Sequence, residues 1–142
     1  MLNIYMDSTM GAISNYQGNL KSSALRSHSA SLYSVLSNTK RDVSGYLTEV
    51  YGSREAEPTK TMEADEQLHA DGLNSDLFNA KINGILDRIF AHKMAYEITM
   101  IMSRESALYE RASDAELKSA LESSHNSLST LYSEFNEFSE TK

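Results

Sequence analysis

The sequence has no cysteine and no tryptophan, and only one proline and six glycines among its 142 residues. The absence of cysteine excludes disulfide bonds, thiolate catalysis and cysteine-ligated zinc. Because so few residues break helices, the chain can sustain long ones. Strongly apolar runs are also short: the longest, Ile98–Met102, is far below the roughly 20 residues that cross a bilayer. No membrane span is therefore predicted.

Basic residues are scarce as well: 13 Lys and Arg stand against 20 Asp and Glu, for a net charge of −7. The basic residues are scattered and form no basic stripe, so the sequence does not predict the positively charged surface with which proteins bind nucleic acid. The first ten residues lack the basic start and the cleavage pattern of a signal peptide. The localisation stays open between the cytoplasm and an exported, mature form.

The composition and the length of the chain fit one folded domain. Apolar residues make up 40 % and charged residues 23 % of the chain, close to the usual balance of a globular protein. The length suits a single domain over residues 1–142, and a polar stretch with the lone Pro58, residues 53–61, reads as its main loop.

Helical periodicity covers most of the rest. Ser113–Glu116 has the form of a capping box and opens a predicted helix over 114–138. A second helix is predicted over 75–112, and a third, with apolar residues from Leu25 to Val50, ends before Gly52. A shorter segment around Met6–Leu20 is either separate or continuous with the third helix, and 61–71 forms a short helical piece ended by Gly72. The predicted helix over 114–138 carries a heptad seam of Leu117, Leu121, Ser124, Leu128, Leu131, Phe135 and Phe138.

The pattern predicts an all-α fold, an up-down three- or four-helix bundle. The helix over 75–112 carries two apolar stripes and is predicted to be central. One stripe comprises Phe78, Ile82, Ile85, Ile89 and Tyr96; the other comprises Leu86, Phe90, Met94, Ile98 and Ile101. No alternating, β-branched strand pattern is visible.

The pattern Glu-x-x-His occurs twice, as Glu66 with His69 and as Glu122 with His125. On a helix, residues three apart share a face, so a carboxylate and an imidazole can coordinate one metal ion together. Di-iron and di-manganese bundles use two such motifs with single glutamates from two further helices.

Glu49 and Glu97 could supply those single glutamates. The alternative is that the two motifs are surface residues. Ser124 holds the seam position of its helix, so Glu122 points largely to solvent. The sequence favours this surface interpretation and predicts no cofactor.

Three short segments resemble small bacterial ferritin-like domains of unknown function, which are often exported. They are Ala24–His28, Leu77–Asn79 followed by Phe90–His92, and Asp114–Lys118. The resemblance covers most of residues 20–138. It implies a ferritin-like four-helix bundle and no particular activity, and the chain departs from the family in lacking an export signal.

No catalytic signature is present: there is no Gly-x-Ser-x-Gly elbow and no glycine-rich phosphate loop. We therefore predict a non-enzymatic protein that acts through a protein partner or through self-association, of the bacterial or phage accessory, effector or inhibitor type, with no small-molecule ligand. The alternatives are a ferritin-like di-metal carboxylate protein that handles iron or oxidant, and a structural, self-assembling protein.

Overall fold

A computed structural model describes residues 2–51 and 60–141, with side chains described for 5–43 and 67–138. The helices are α1 (Leu2–Tyr16), α2 (Ser23–Tyr51), α3 (Lys60–Ile82), α4 (Leu86–Arg111) and α5 (Ala115–Thr141), and a 3₁₀ turn, Gln17–Asn19, follows α1. The described ranges contain no strand, which confirms the all-α prediction. No helix in these ranges has both the length and the apolarity for a membrane span.

The predicted continuous helix over 75–112 is wrong, because the chain turns sharply between α3 and α4. Gly84 has a φ of 75°, a conformation that glycine adopts without a steric penalty. The Ile85 amide donates to the Ala80 carbonyl at 2.9 Å and the Gly84 amide donates to the Lys81 carbonyl at 3.2 Å. This is the paired bonding of a Schellman motif, which closes a helix at its C-terminus.

Helix α3 also differs from prediction near its middle. It runs unbroken through Gly72, where the short piece over 61–71 was expected to stop. One exposed glycine inside a helix costs about 1 kcal/mol, which the packing of a 23-residue helix overrides. Most of the predicted loop over 53–61 lies outside the described residues.

Two side chains cap helix N-termini. The Ser22 hydroxyl accepts from the Leu25 amide at 3.1 Å at the start of α2. The Asp114 carboxylate accepts from the Glu116 amide at 2.8 Å and the Leu117 amide at 3.0 Å. The predicted cap of α5, Ser113, is therefore wrong by one residue, since aspartate at 114 supplies the acceptor.

The α1–α2 connection is tied to the start of α4. The Asp87 carboxylate accepts hydrogen bonds from the backbone amides of Lys21 at 2.9 Å and Ser22 at 2.8 Å. The Arg26 guanidinium donates to the carbonyls of Leu20 and Lys21 in the same turn. Residues distant in sequence thereby fix where α2 begins.

The helices of the described ranges pack together around one apolar core. Helix α5 packs along α4 and α2, and α1 contacts α2, α3 and α4. The pairs Thr39–Ser124 and His28–Glu134 show that α2 and α5 are antiparallel. The predicted α5 seam is confirmed, since every member from Leu117 to Phe135 is buried and Phe138 is partly buried.

Candidate functional site

His69, predicted as a possible metal ligand, pairs with a buried glutamate of the neighbouring helix. Its Nε2 lies 2.9 Å from Glu97 Oε1 and 3.0 Å from Oε2. Glu97 is 2 % exposed. Burial raises the pKa of Glu97, while the His69 hydrogen bond and the charges of His69 and Lys93 oppose that rise. The contact joins α3 to α4 through a polar pair of one half-buried side chain, His69, and one buried side chain, Glu97.

Helix α1 completes this cluster. The Tyr5 ring meets the His69 ring edge-on, with centroids 5.2 Å apart. The Arg104 guanidinium lies 5.2 Å from the Tyr5 ring centroid, and its Nη2 donates to the Tyr5 hydroxyl at 3.4 Å. The cluster therefore links α1, α3 and α4, and a cation stacked on an aromatic face contributes to that link.

The second Glu-x-x-His motif lies elsewhere, at the interface of α4 and α5. Glu122 is exposed, as predicted, and accepts from the Tyr109 hydroxyl at 2.9 Å. That hydrogen bond raises the pKa of Tyr109, and the Glu122 charge adds to the effect. Glu122 and half-buried His125 both line a cavity of about 340 Å³ between the two helices.

The two motifs are thus held at different helix interfaces. Glu66 belongs to α3 and Glu49 to α2, but the positions of their side chains lie outside the described set. Among the described residues, no group of three or more His, Asp and Glu side chains could hold a metal ion. His69 and Glu97, suggested together as metal ligands, contact each other directly.

Sequence reasoning missed Glu105, which lines the same cavity as Glu122 and His125. Glu105 continues the spacing of the stripe Met94, Ile98 and Ile101, so its position in an apolar seam was the available signal. It is 1 % exposed, and neither of its carboxyl oxygens has a hydrogen-bond partner. Burial raises the pKa of Glu105 to about 7, and the nearby Ser124 hydroxyl opposes the rise.

The other two histidines differ in their surroundings. His28 is half-buried, and its Nδ1 lies 2.9 Å from Glu134 Oε2, while its ring packs against Phe135. His92, by contrast, is exposed on α4.

A third feature is an apolar surface on the outside of α3 and α4. The stripe that begins with Phe78 and Ile82 was one of the two on which the predicted central position of the helix rested, and the structure shows that most of it faces outward. Phe78 is 53 % exposed and Ile82 66 % exposed, and Leu68 on the same helix is 72 % exposed. Ile85, in the turn before α4, and Tyr96 on α4 extend the exposed stripe, while Ile89 is partly buried.

We call Leu68, Ser75, Phe78 and Ile82 the outer α3 surface. At 100° per residue they lie opposite the buried residues Leu73, Leu77 and Ala80. Large apolar side chains grouped in this way are uncommon on the surface of a small protein.

Comparison of the chain with protein-family models, with curated proteins and with solved structures gave no match. The resemblance to ferritin-like domains therefore stays a prediction.

Proposed function

We propose that the protein works, without catalysis, through protein–protein interaction, and that the outer α3 surface pairs with the same surface of a second copy. The observation that carries the proposal is the exposure of Leu68, Phe78 and Ile82 on one face of one helix. Burying such side chains between two copies removes apolar area from water, at about 25 cal/mol per Å².

The arrangement of residues on α3 is self-complementary. Leu68 and Ile82 each lie seven residues, two helical turns, from Ser75. In an antiparallel pair with a two-fold axis at Ser75, Leu68 of one copy is level with Ile82 of the other. A small side chain on the axis lets the two helices approach closely. Such reciprocal contact is the rule for two-fold dimers, the commonest soluble oligomers.

Two charged side chains on α3 support the same antiparallel orientation of the two copies. Asp71 and Lys81 are both exposed on α3; at 100° per residue Asp71 lies between Phe78 and Ile82, and Lys81 lies about 60° beyond Phe78 on the same side of the helix. Equivalent sides of the helix face each other in a two-fold antiparallel pair, so the long Lys81 side chain of each copy extends towards Asp71 of the other. Opposite charges at the rim of an interface favour one register over others.

The test is the molar mass in solution, measured by sedimentation equilibrium from 1 to 200 μM protein. We expect a dimer for the natural chain and a monomer for Ile82→Asp, because the substitution places two charges in the apolar contact. The matched control is Tyr33→Asp, which makes the same kind of change at an exposed aromatic residue of α2 and should leave the dimer intact.

A second pair of variants tests the position of the axis. Ser75→Arg places two like charges against each other on the axis and should dissociate the dimer, whereas Ser31→Arg, on exposed α2 surface, should not. A monomer at every concentration, or a dimer that survives both Ile82→Asp and Ser75→Arg, would show that the surface does not pair with itself.

We keep a ferritin-like di-metal protein as the alternative proposal. The contact between His69 and Glu97 supports it, since a carboxylate and an imidazole from two helices are the ligand types of such sites. About two iron or manganese ions per chain, in protein purified without chelator, would favour this alternative. A metal-free sample after incubation with either ion would eliminate it.

A further inference from the structure

The outer side of α4 carries exposed apolar side chains of its own. Tyr96 is 53 % exposed, and Ile85, in the turn before α4, is 47 % exposed. Of the six large apolar side chains that are exposed in the described ranges, five belong to α3, to α4 or to the turn between them, and Tyr33 on α2 is the sixth. The exposed apolar surface of the described residues is therefore concentrated on the α3–α4 hairpin.

Two contacts mark the sides on which α3 and α4 face each other. Lys93 Nζ lies 2.9 Å from Asp76 Oδ2, and His69 is paired with Glu97. The later residue of α3 is paired with the earlier residue of α4, so the two helices are antiparallel.

The apolar stripes of the two helices point the same way. At 100° per residue, Leu68 and Ile82 lie on average about 110° around α3 from the side that contacts α4. Ile89 and Tyr96 lie on average about 70° around α4, in the same sense along the chain, from the side that contacts α3. On antiparallel helices, two such rotations that total about 180° turn both stripes to one side of the hairpin. The hairpin therefore presents one flat apolar surface made of both helices.

In the proposed dimer, this arrangement brings α4 of one copy opposite α4 of the other. The two-fold axis at Ser75 is perpendicular to the helices, so equal halves of the hairpin surface lie opposite each other. The contact between Asp76 and Lys93 places the axis level with Met94. Tyr96 lies two residues from that level, about 3 Å along the helix, so Tyr96 of each copy lies close to the axis.

The size of a stable interface also requires more than α3. A specific interface takes about 20 to 30 residues from each partner. One face of the 23-residue α3 presents about a third of its residues, roughly eight. The equivalent face of the 26-residue α4 about doubles that number.

We propose that the dimer is formed by both helices of the hairpin, with Tyr96 of the two copies packed beside the two-fold axis, each against His92 of the other copy. This inference rests on the proposed dimer and adds a second pair of helices to it. Tyrosine suits the centre of such a contact, because its ring buries a large apolar area with little loss of conformational freedom and its hydroxyl accepts a polar neighbour.

The first experiment is sedimentation equilibrium of a Tyr96→Ala variant. The substitution should raise the dimer dissociation constant about tenfold or more, as expected for an aromatic side chain at the centre of an interface. The matched control is Tyr33→Ala, which removes the exposed tyrosine of α2 and should leave the dissociation constant unchanged. The circular dichroism melting curve of each variant establishes that it is folded.

The second experiment is crosslinking through single cysteines, which the cysteine-free chain allows without background. The variants are Ser75→Cys for the α3 pair, His92→Cys for the α4 pair and Ser31→Cys, on exposed α2 surface, as the control. Each is treated at 10 μM with a short bismaleimide. We expect crosslinked dimers from Ser75→Cys and His92→Cys, and monomers from Ser31→Cys.

The outcomes separate this inference from the proposed function. Crosslinking of Ser75→Cys without crosslinking of His92→Cys, or a Tyr96→Ala dimer as tight as that of the natural chain, would overturn the inference and leave the α3 pairing unaffected. Absence of crosslinking in both would overturn the α3 pairing and the inference with it. Crosslinking of His92→Cys alone would also overturn both, because the axis would then not lie at Ser75.

Discussion

Two buried glutamates on α4, Glu97 and Glu105, differ in what surrounds them. They lie about two helical turns apart, at roughly 12 Å along the axis, and both are almost fully enclosed. Burial raises the pKa of each. Glu97 has His69 across the interface, whereas the oxygens of Glu105 have no hydrogen-bond partner. The comparison shows that burial makes an ionised carboxylate energetically unfavourable. Whether this free-energy cost is compensated depends on the side chains that the neighbouring helix places beside the carboxylate.

Removing the partner of Glu97 should have the largest effect. His69→Ala leaves Glu97 buried and unpaired, as Glu105 already is, and should lower the free energy of unfolding by about 3 kcal/mol. Urea denaturation at pH 7 measures this change. Adding Glu97→Gln to His69→Ala should recover part of the loss, and a double variant no more stable than His69→Ala would show that the pair carries no charge-dependent stability.

Removing the charge of Glu105 should have a smaller effect of the opposite sign. The pKa of Glu105 is raised from 4.5 to about 7, so the folded state holds a proton that the unfolded state has lost between these pH values. The stability of the natural chain should therefore fall as the pH rises from about 4.5 to 7. Glu105→Gln should raise the free energy of unfolding at pH 8 by about 2 kcal/mol.

The pH profile provides the control for that variant. Urea unfolding of Glu105→Gln should show a shallower decline between pH 5 and 7.5 than the natural chain, and the two should be of similar stability at pH 4.5. Equal slopes in the two proteins would show that another group is responsible for the decline.

The smallest effect concerns a hydroxyl pair beside Glu105. Thr39 Oγ1 lies 2.7 Å from the Val35 carbonyl and 2.8 Å from Ser124 Oγ. The Ser124 hydroxyl opposes the rise of the Glu105 pKa, and Ser124→Ala removes it, at a cost of about 1 kcal/mol in stability.

The pKa of Glu105 should then rise further, which a carbon-detected NMR titration of its carboxyl group measures. Ser127→Ala, on exposed α5 surface, is the control and should leave the pKa unchanged. An unchanged value in Ser124→Ala would mean that the Ser124 hydroxyl does not act on Glu105.

Local patterns predicted α5 well, because its seam and its start depend on residues close in sequence. The same reasoning failed at α3 and α4. The turn at Gly84 was missed, since the periodicity of apolar residues continues across it from Ile82 to Ile85. Periodicity measures spacing along the chain and cannot tell a continuous helix from two helices joined by a tight turn.

The candidate sites were harder to predict for a related reason. Both Glu-x-x-His motifs are visible in the sequence, but the contact between His69 and Glu97 depends on how α3 folds back on α4. The outward direction of Phe78 and Ile82 follows from the same turn. Glu105 was detectable as a charged residue in an apolar seam, yet its missing partner depends on side chains from α2 and α5.

The contact of Asp87 with the Lys21 and Ser22 amides has a consequence for hydrogen exchange. These two amide hydrogens lie in a connection between helices, where rapid exchange with solvent is usual. Here the Asp87 carboxylate from the distant α4 accepts both of them. Their exchange rates therefore report the separation of α4 from the α1–α2 connection, and slow exchange at both would identify the start of α2 and the start of α4 as one cooperative unfolding unit.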